Sequence, residues 1–270
     1  MTPIEDSSGE DGSMFKDYLL APVSLDKHVA CQDYIIHRHS QTVLRNPAFD
    51  GVFHRYVQYP PLPADQVAPR HSLYNRRSEF ALITEHACVD GDLFRKALQD
   101  DRHKEQVKKD EEHIVAEFLN GACLCFDMTE TEIFSSPRTG RYHVFDFLKR
   151  RADVSEGSFF AELEKEGELL ARDADFRQVA LRRCHNRVNR DDSLYAAEGD
   201  TGAVTDQDYD AIIDTWTDSL DRLARFYPDI RTRQAFYVDQ QASFSIVATE
   251  HILADRGVVV GLAEPLKQAV

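Results

Sequence analysis

The sequence has no apolar run that approaches the ~18 residues needed to cross a bilayer. The N-terminal segment MTPIEDSSGEDGSMF also lacks the cationic start and the apolar stretch of a secretory signal. We therefore expect residues 1–13 to form a short disordered tail. We also expect the protein to be cytoplasmic and not to bind a membrane.

Positive charge is scarce as well. The chain has 32 Lys and Arg residues against 47 Asp and Glu residues, a formal net charge of −15. Because contacts with phosphate need clustered cations, nucleic acid and anionic lipid are not expected as partners.

Several chemical signatures are missing. The chain has no glycine-rich phosphate loop, no G-x-S-x-G and no H-E-x-x-H, so no cofactor is predicted. The five cysteines are odd in number and scattered through mostly apolar segments, which is typical of a reducing compartment. Cys123 and Cys125 form a C-x-C pair, but further ligands at a suitable spacing are missing. We interpret them as core residues and predict no metal site.

What the sequence does contain is one pattern of strands and helices that occurs twice. In the first half, strands are predicted at 18–24, 51–59, 79–89 and 122–127, and helices at 25–45 and 92–117. In the second half, strands are predicted at 141–151, 176–188 and 243–253, a helix at 158–171, and a strand followed by a helix within 209–227. The predicted helix N-caps are Asp26 in the first half and Ser155 or Ser158 in the second.

Both halves have the order β-α-β-β-α-β, which defines a ferredoxin-like unit. The predicted fold is α+β, with tandem ferredoxin-like repeats at 14–136 and 137–256 and a C-terminal tail at 257–270. Helices cover one face of each four-stranded sheet and leave the other face bare. We therefore expect the two sheets to pack face to face as a fused dimer.

Three short motifs point to a family. The segment YDAIIDTWTDSLDRL (209–223) has a Tyr-Asp start, a later acid, an aromatic residue and an Asp-Ser helix start, at Tyr209, Asp210, Asp214, Trp216, Asp218 and Ser219. The first predicted helix has Tyr34 and His39 in a Tyr-Trp-x-x-x-His pattern, with Ile35 in place of Trp, and the second has the acidic pair Asp110 and Glu111. Together with the closing strand TEHIL (249–253), these motifs resemble the EthD family of the dimeric α/β-barrel superfamily.

The resemblance implies a fused dimeric α/β barrel and a cofactor-independent enzyme. Such an enzyme would be a lyase or isomerase, of the decarboxylase, dehydratase or cyclase type, that acts on an aromatic or polyketide-like compound. In the second half, Gly167 or Glu168 falls where the family has its helix histidine, so this half is interpreted as mainly structural. Fused pairs could associate further as a homodimer.

His39 is the first candidate catalytic residue. Val29, Ile36 and Val43 recur every seven residues and predict the buried face of the first helix. His39 lies on that face, where an imidazole in an apolar cleft can act as a general acid or base near neutral pH. The alternative is a core histidine that bonds a backbone carbonyl. His37 is about 200° away around the helix and is predicted to lie on the surface.

Strand alternation adds two more histidines. It groups His54 with Tyr56 on one face of the second strand, and His86 with Thr84 on one face of the third. His54 and His86 are therefore predicted to line one pocket with His39. Three converging histidines could also hold a metal, but we prefer general acid–base catalysis because none of them forms an i, i+4 pair.

We therefore predict His39, His54 and His86 as catalytic residues. The residues predicted to bind the substrate are Tyr34, Tyr56, Tyr59, Glu85 and Trp216. Two alternatives stay open. One is a non-catalytic small-molecule-binding or stress-related protein of the same fold, and the other is a haem-binding oxygenase with His39 or His86 as the axial ligand.

Overall fold

The computed structural model describes residues 15–190, the backbone of 203–205, and residues 208–260. The predicted N-terminal tail at 1–13 lies outside the described residues. So does most of the predicted C-terminal tail, from residue 261 onward. No helix in the described ranges is both long enough and apolar enough to cross a membrane.

The first half contains five strands and two broken helices. The elements in chain order are β1 (Phe15–Pro22), α1 (His28–Tyr34), a π-helical turn (Ile35–His39), α2 (Ser40–Leu44), β2 (Phe53–Tyr59), β3 (Asn75–Arg76), β4 (Phe80–Cys88), α3 (Gly91–Gln99), a second π-helical turn (His103–Val107), α4 (Lys108–Glu117) and β5 (Cys123–Ser135). Four of the strands form an antiparallel sheet in the order β2-β4-β1-β5.

The second half has the same strand order. Its elements are β6 (Tyr142–Leu148), α5 (Glu156–Arg172), α6 (Ala174–Val179), β7 (Ala180–Val188), β8 (Ala203–Thr205), β9 (Ala211–Thr217), α7 (Leu220–Leu223), α8 (Tyr227–Gln234), β10 (Phe244–Ala248), β11 (His251–Asp255) and β12 (Val258–Val259). Antiparallel pairing gives β10-β6-β9-β7. The strand predicted at 176–188 begins only at Ala180, because residues 174–179 form a helix. Asp173 caps this helix by accepting from the Phe176 amide.

The two halves are joined at both edges. The long strand β5 leaves β1 and pairs with β7 of the second half. In the same way β11, which follows β10 after two residues, pairs with β2 of the first half. All these strands belong to one mixed sheet, which together with the helices gives a mixed α/β fold.

Apolar side chains fill three regions. The inner faces of the two halves share one aromatic core, which includes Tyr18, Tyr59, Phe80, Phe126, Phe145, Phe147 and Phe244. The helices of the first half pack on the outer face of their own sheet. Those of the second half do the same. The inner core buries the bare sheet faces, and each outer face is left for its helices.

The helix starts and the first helix face differ partly from expectation. Ser155 caps α5 by accepting from the Ser158 amide, whereas Asp26 lies within a short 3₁₀ turn before α1. Ile36 and Val43 are buried, but Val29 is 78% exposed. The π-helical turn between Val29 and Val43 widens the helix, so the regular seven-residue spacing does not describe its buried face.

Two glycines in α5 provide a matched test of packing. A Cβ at Gly167 would lie 2.9 Å from Cε1 of His185 and 3.2 Å from Cδ1 of Ile133, while a Cβ at Gly157 would meet nothing within 4 Å. Gly167→Ala should lower the free energy of unfolding by about 1–3 kcal/mol through overpacking. Gly157→Ala should raise it by up to about 1 kcal/mol, because Ala favours helix. Urea denaturation measures both, and equal shifts would contradict the packing.

Candidate active site

A cavity of about 350 Å³ lies between the helices of the first half and the outer face of its sheet. Its apolar lining includes Ile35, Val43, Phe49, Phe53, Tyr56, Phe94, Val107 and Ile114. The polar side chains in its wall include His39, Thr84, His86, His103, Lys104, Lys108 and Glu111. This volume is at the low end of the range for small-molecule sites, and the mostly apolar wall with a few polar groups is typical of such sites.

His86 enters the cavity from the sheet and is held by a carboxylate. It lies on β4 directly opposite Asp17 of β1, and its Nδ1 is 2.9 Å from Oδ1 of Asp17, which is fully buried. A carboxylate only accepts hydrogen bonds, so Nδ1 carries the proton of the pair. In a neutral imidazole this leaves the Nε2 lone pair as the base.

His39 is held in the same way from the helical side. Its Nδ1 is 2.8 Å from Oδ2 of Asp110 on α4. The Tyr34 hydroxyl donates to the other carboxylate oxygen, Oδ1, at 2.5 Å. Burial, followed by this hydrogen bond, raises the pKa of Tyr34 to about 12. The cavity wall thus has two imidazoles that are each paired with a carboxylate, one pair on the sheet and one across the two helices.

Both helices above the cavity are interrupted by a π-helical turn, and each turn carries a cavity histidine. His39 is the last residue of the first turn, and His103 is the first residue of the second. A π-helical turn is wider than an α-helical one and is often found at functional sites. These turns place both imidazoles in the cavity wall.

Among the other predicted residues, Tyr56 lines the cavity and its ring lies 5.0 Å from that of His86. Tyr34 lies behind it and contacts Asp110. His54 does not line it. A β-bulge between Phe53 and Arg55 interrupts strand alternation, so Phe53 rather than His54 shares the cavity face with Tyr56.

The remaining predicted residues lie on the inner face of the sheet, away from the cavity. The Tyr59 hydroxyl donates to Glu85 at 2.7 Å, and the Trp216 ring lies tilted against the His143 ring with 3.9 Å between ring centroids. Burial raises the pKa of Glu85, but Lys16 and Arg55 outweigh it and leave the net pKa below the ordinary value. Glu85, Lys16 and Arg55 belong to a buried charged network, in which Lys16 also pairs with Asp214 of the second half.

In the second half a buried polar cluster is found between α5 and the sheet. Glu166 accepts hydrogen bonds from Gln234 at 2.8 Å and from Tyr237 at 3.1 Å, and lies 3.5 Å from Arg183. Burial raises its pKa above the ordinary value despite these partners. The acidic run Glu164, Glu166, Glu168 is typical of a solvated helix face, but Glu166 is only 2% exposed.

Sequence reasoning did not select Asp17 or His103 as site residues. Asp17 lies one residue before the predicted first strand, and nothing in its neighbours indicates a buried pair with His86. His103 lies in a highly charged segment that is typical of a solvated helix. Asp110 was identified only through the acidic pair in the family motif. In the described part of the chain, no group of three His, Cys, Asp or Glu side chains is placed to hold a metal.

No protein-family model matches the sequence, and no curated protein matches it. Solved structures do match. An anthrone oxidase-like protein is 10% identical, with a TM-score of 0.57 over 94% of this chain and 98% of the other. A "putative monooxygenase" from Fusobacterium nucleatum is 8% identical, with a TM-score of 0.54 over 90% of this chain and 95% of the other. The chain therefore has the ferredoxin-like dimeric α/β-barrel fold.

Asp110 provides a test of the helical pair. Burial raises the pKa of its carboxyl, but hydrogen bonds from His39 and Tyr34 outweigh this and lower the net pKa. A carboxyl with a lowered folded pKa stabilises the protein above its unfolded pKa of ~3.9, and this stabilisation is lost as the pH falls through the folded value. Asp110→Asn should lower the free energy of unfolding by about 1–2 kcal/mol at pH 7, with a smaller difference at pH 3.

The matched control for this experiment is Asp101→Asn. The Asp101 side chain is 93% exposed and lies near the same helix. It should leave urea denaturation nearly unchanged at both pH values. An Asp110→Asn effect of the same size at pH 7 and pH 3 would show that the carboxylate charge is not what stabilises the contact.

Proposed function

We propose that the protein is a cofactor-independent enzyme, a lyase or isomerase, that moves a proton on an aromatic or polyketide-like small molecule. The observation that carries this proposal is the pair of carboxylate-oriented imidazoles, His39 with Asp110 and His86 with Asp17, in the wall of one apolar cavity. An imidazole held this way is a general acid or base suited to neutral pH.

The cavity wall favours a flat, apolar ligand. The rings of Phe49, Phe53 and Phe94 contact one another at centroid distances of 5.3–6.2 Å, and the His86 ring lies 5.4 Å from Phe53 and 5.5 Å from Phe94. Aromatic side chains at these distances pack well against a further ring. A volume of about 350 Å³ suits a compound of two or three fused rings.

The two imidazoles can share one reaction. One neutral ring takes a proton through Nε2 from a carbon next to a carbonyl, or from a phenol, while its carboxylate stabilises the imidazolium that forms. The other ring, in its protonated form, returns a proton at a second position. Proton removal and return at different atoms is the chemistry of an isomerase, and it also assists the loss of water or carbon dioxide.

We also propose that the two halves are copies of one EthD-like unit. The shared strand order and the reciprocal edge pairing of β5 with β7 and β11 with β2 support this reading. In this reading the first copy holds the site. The second copy has the buried Glu166 cluster in the equivalent layer, and Gly167 packs against His185 where the family has its histidine.

The proposal predicts a loss of proton transfer when either imidazole is replaced. Anthrone is a suitable probe, because its ring carbonyl acidifies the methylene protons and a structurally similar protein is anthrone oxidase-like. His39→Asn and His86→Asn should each slow enzyme-catalysed exchange of these protons in D₂O, followed by NMR, by about 10²- to 10⁴-fold. The exposed neighbour His37 is the control, and His37→Asn should leave the rate unchanged.

The same experiment separates catalysis from binding alone. If wild-type protein binds anthrone but exchanges its protons no faster than buffer does, the protein is a small-molecule binder without this chemistry. If the fraction of folded His39→Asn protein, measured by thermal denaturation, falls by the same factor as the exchange rate, His39 is a packing residue.

A haem-binding oxygenase is the second candidate. Its support is the donor chemistry, because a histidine whose Nδ1 donates to a carboxylate is a common metal ligand through Nε2, and His39 and His86 both fit that description. A bound haem would supply the redox chemistry, and the residues that would hold it are these two histidines. The cavity of about 350 Å³ favours a smaller ligand over a four-pyrrole macrocycle.

We therefore expect no specific haem complex. Titration of the purified protein with hemin should give no sharp Soret band beyond that of free hemin. A Soret band that reaches saturation at one haem per chain and is lost in His86→Leu or His39→Leu would favour the oxygenase instead. His37→Leu again serves as the surface control.

A further inference from the structure

His103 is a buried histidine that the proposed proton transfer does not use. It begins the second π-helical turn, is 5% exposed and lines the cavity. Neither ring nitrogen has a hydrogen-bond partner among the described residues. The nearest carboxylate oxygen, Oε1 of Glu111, is 3.9 Å from Nε2, which is beyond hydrogen-bond distance.

An unpaired buried imidazole is costly, and packing alone does not explain it. Part of the surroundings is apolar, since the His103 and Phe49 rings meet in a T-shaped arrangement at a centroid distance of 5.7 Å and Val107 lies one helical turn later in the cavity wall. A leucine would fill similar space without an unsatisfied polar atom. The partner of His103 is therefore expected to come from outside the chain, through the cavity.

The groups beside His103 indicate the chemistry of that partner. Lys104 and Lys108 line the same cavity, together with Glu111, and the Lys104 ammonium also lies 3.7 Å from Asp101. A neutral imidazole has one N–H donor and one acceptor nitrogen. A hydroxyl can pair with either nitrogen, and a carbonyl can accept from the N–H. Neighbouring lysines favour an electron-rich oxygen.

We propose that His103 hydrogen-bonds a ring hydroxyl or carbonyl of the ligand, at a position other than the one that exchanges a proton. The substrate class is then a fused aromatic compound with at least two oxygen substituents. One oxygen activates the reacting position near His39 and His86, and the second pairs with His103. This inference rests on the proposed function, because it assumes an aromatic ligand in this cavity.

The experiment compares ligands that differ by one hydroxyl. The probes are 1-naphthol and 2-naphthol against the 1,5-, 1,8-, 2,6- and 2,7-dihydroxynaphthalenes, with dissociation constants measured by calorimetry. Wild-type protein should bind at least one diol about 10-fold more tightly than its parent naphthol, as one further hydrogen bond allows. His103→Leu should abolish this preference and keep the naphthol affinity within about 3-fold, and His103→Gln should restore part of the preference.

A second measurement needs no variant to fold. The ring ¹⁵N resonances of His103 in the wild-type protein should shift when the preferred diol is added and stay unchanged when the parent naphthol is added. The inference is overturned if no diol is preferred, if His103→Leu keeps the preference, or if the ¹⁵N shifts are the same with both ligands.

The two proposals can fail separately. If the wild-type protein binds no naphthol and no diol, the aromatic cavity and the proposed function both fail. If naphthols bind without a diol preference while anthrone exchange still depends on His39, only the role of His103 is wrong. If the diol preference depends on His103 but no exchange is catalysed, the binding role stands and the catalytic proposal fails.

Discussion

Aromatic rings from both halves pack between the two inner sheet faces, and this contact determines where a cavity can form. Phe147 and Phe244 stack with 4.3 Å between centroids, and Tyr18 meets Phe145 edge to face at 5.4 Å. Close-packed interiors leave little free volume. A cavity that can accommodate a ligand lies instead between helices and sheet, on the outer face of the first half.

Charge is buried inside this aromatic core. Lys16 of the first half is 5% exposed, forms an ion pair with Glu130 and lies 3.4 Å from Asp214 of the second half. The Tyr18 hydroxyl donates to the same Asp214 carboxylate at 2.5 Å. Burial raises the pKa of Asp214 to about 6, although Lys16 and Tyr18 both oppose the rise. Desolvating such groups is costly unless each finds its partner, so the network favours one register between the halves.

Strand patterns were predictable because side chains alternate strictly along a strand, and the outer position of His86 and Thr84 follows from that alternation. His54 was predicted on the wrong face because a bulge inserts one residue into the strand, and nothing in the local sequence indicates a bulge.

Only part of the site was predictable from the sequence. His39, His86 and Tyr56 were selected by residue type and spacing, but Asp17 meets His86 only through the pairing of β1 with β4. Contacts across strands depend on register, which a single sequence does not specify.

The two π-helical turns have a consequence for how the site could change. Each of these turns contains more residues than an ordinary α-helical one. Deleting one residue within a turn would let the helix return to regular geometry and leave the residues after it in place, because the extra residue is taken up inside the turn. In the second helix Asp110, which follows the turn that begins at His103, would stay beside His39. The change would therefore be confined to the part of the cavity wall formed by the turn, while the sheet and the rest of the helix keep their places.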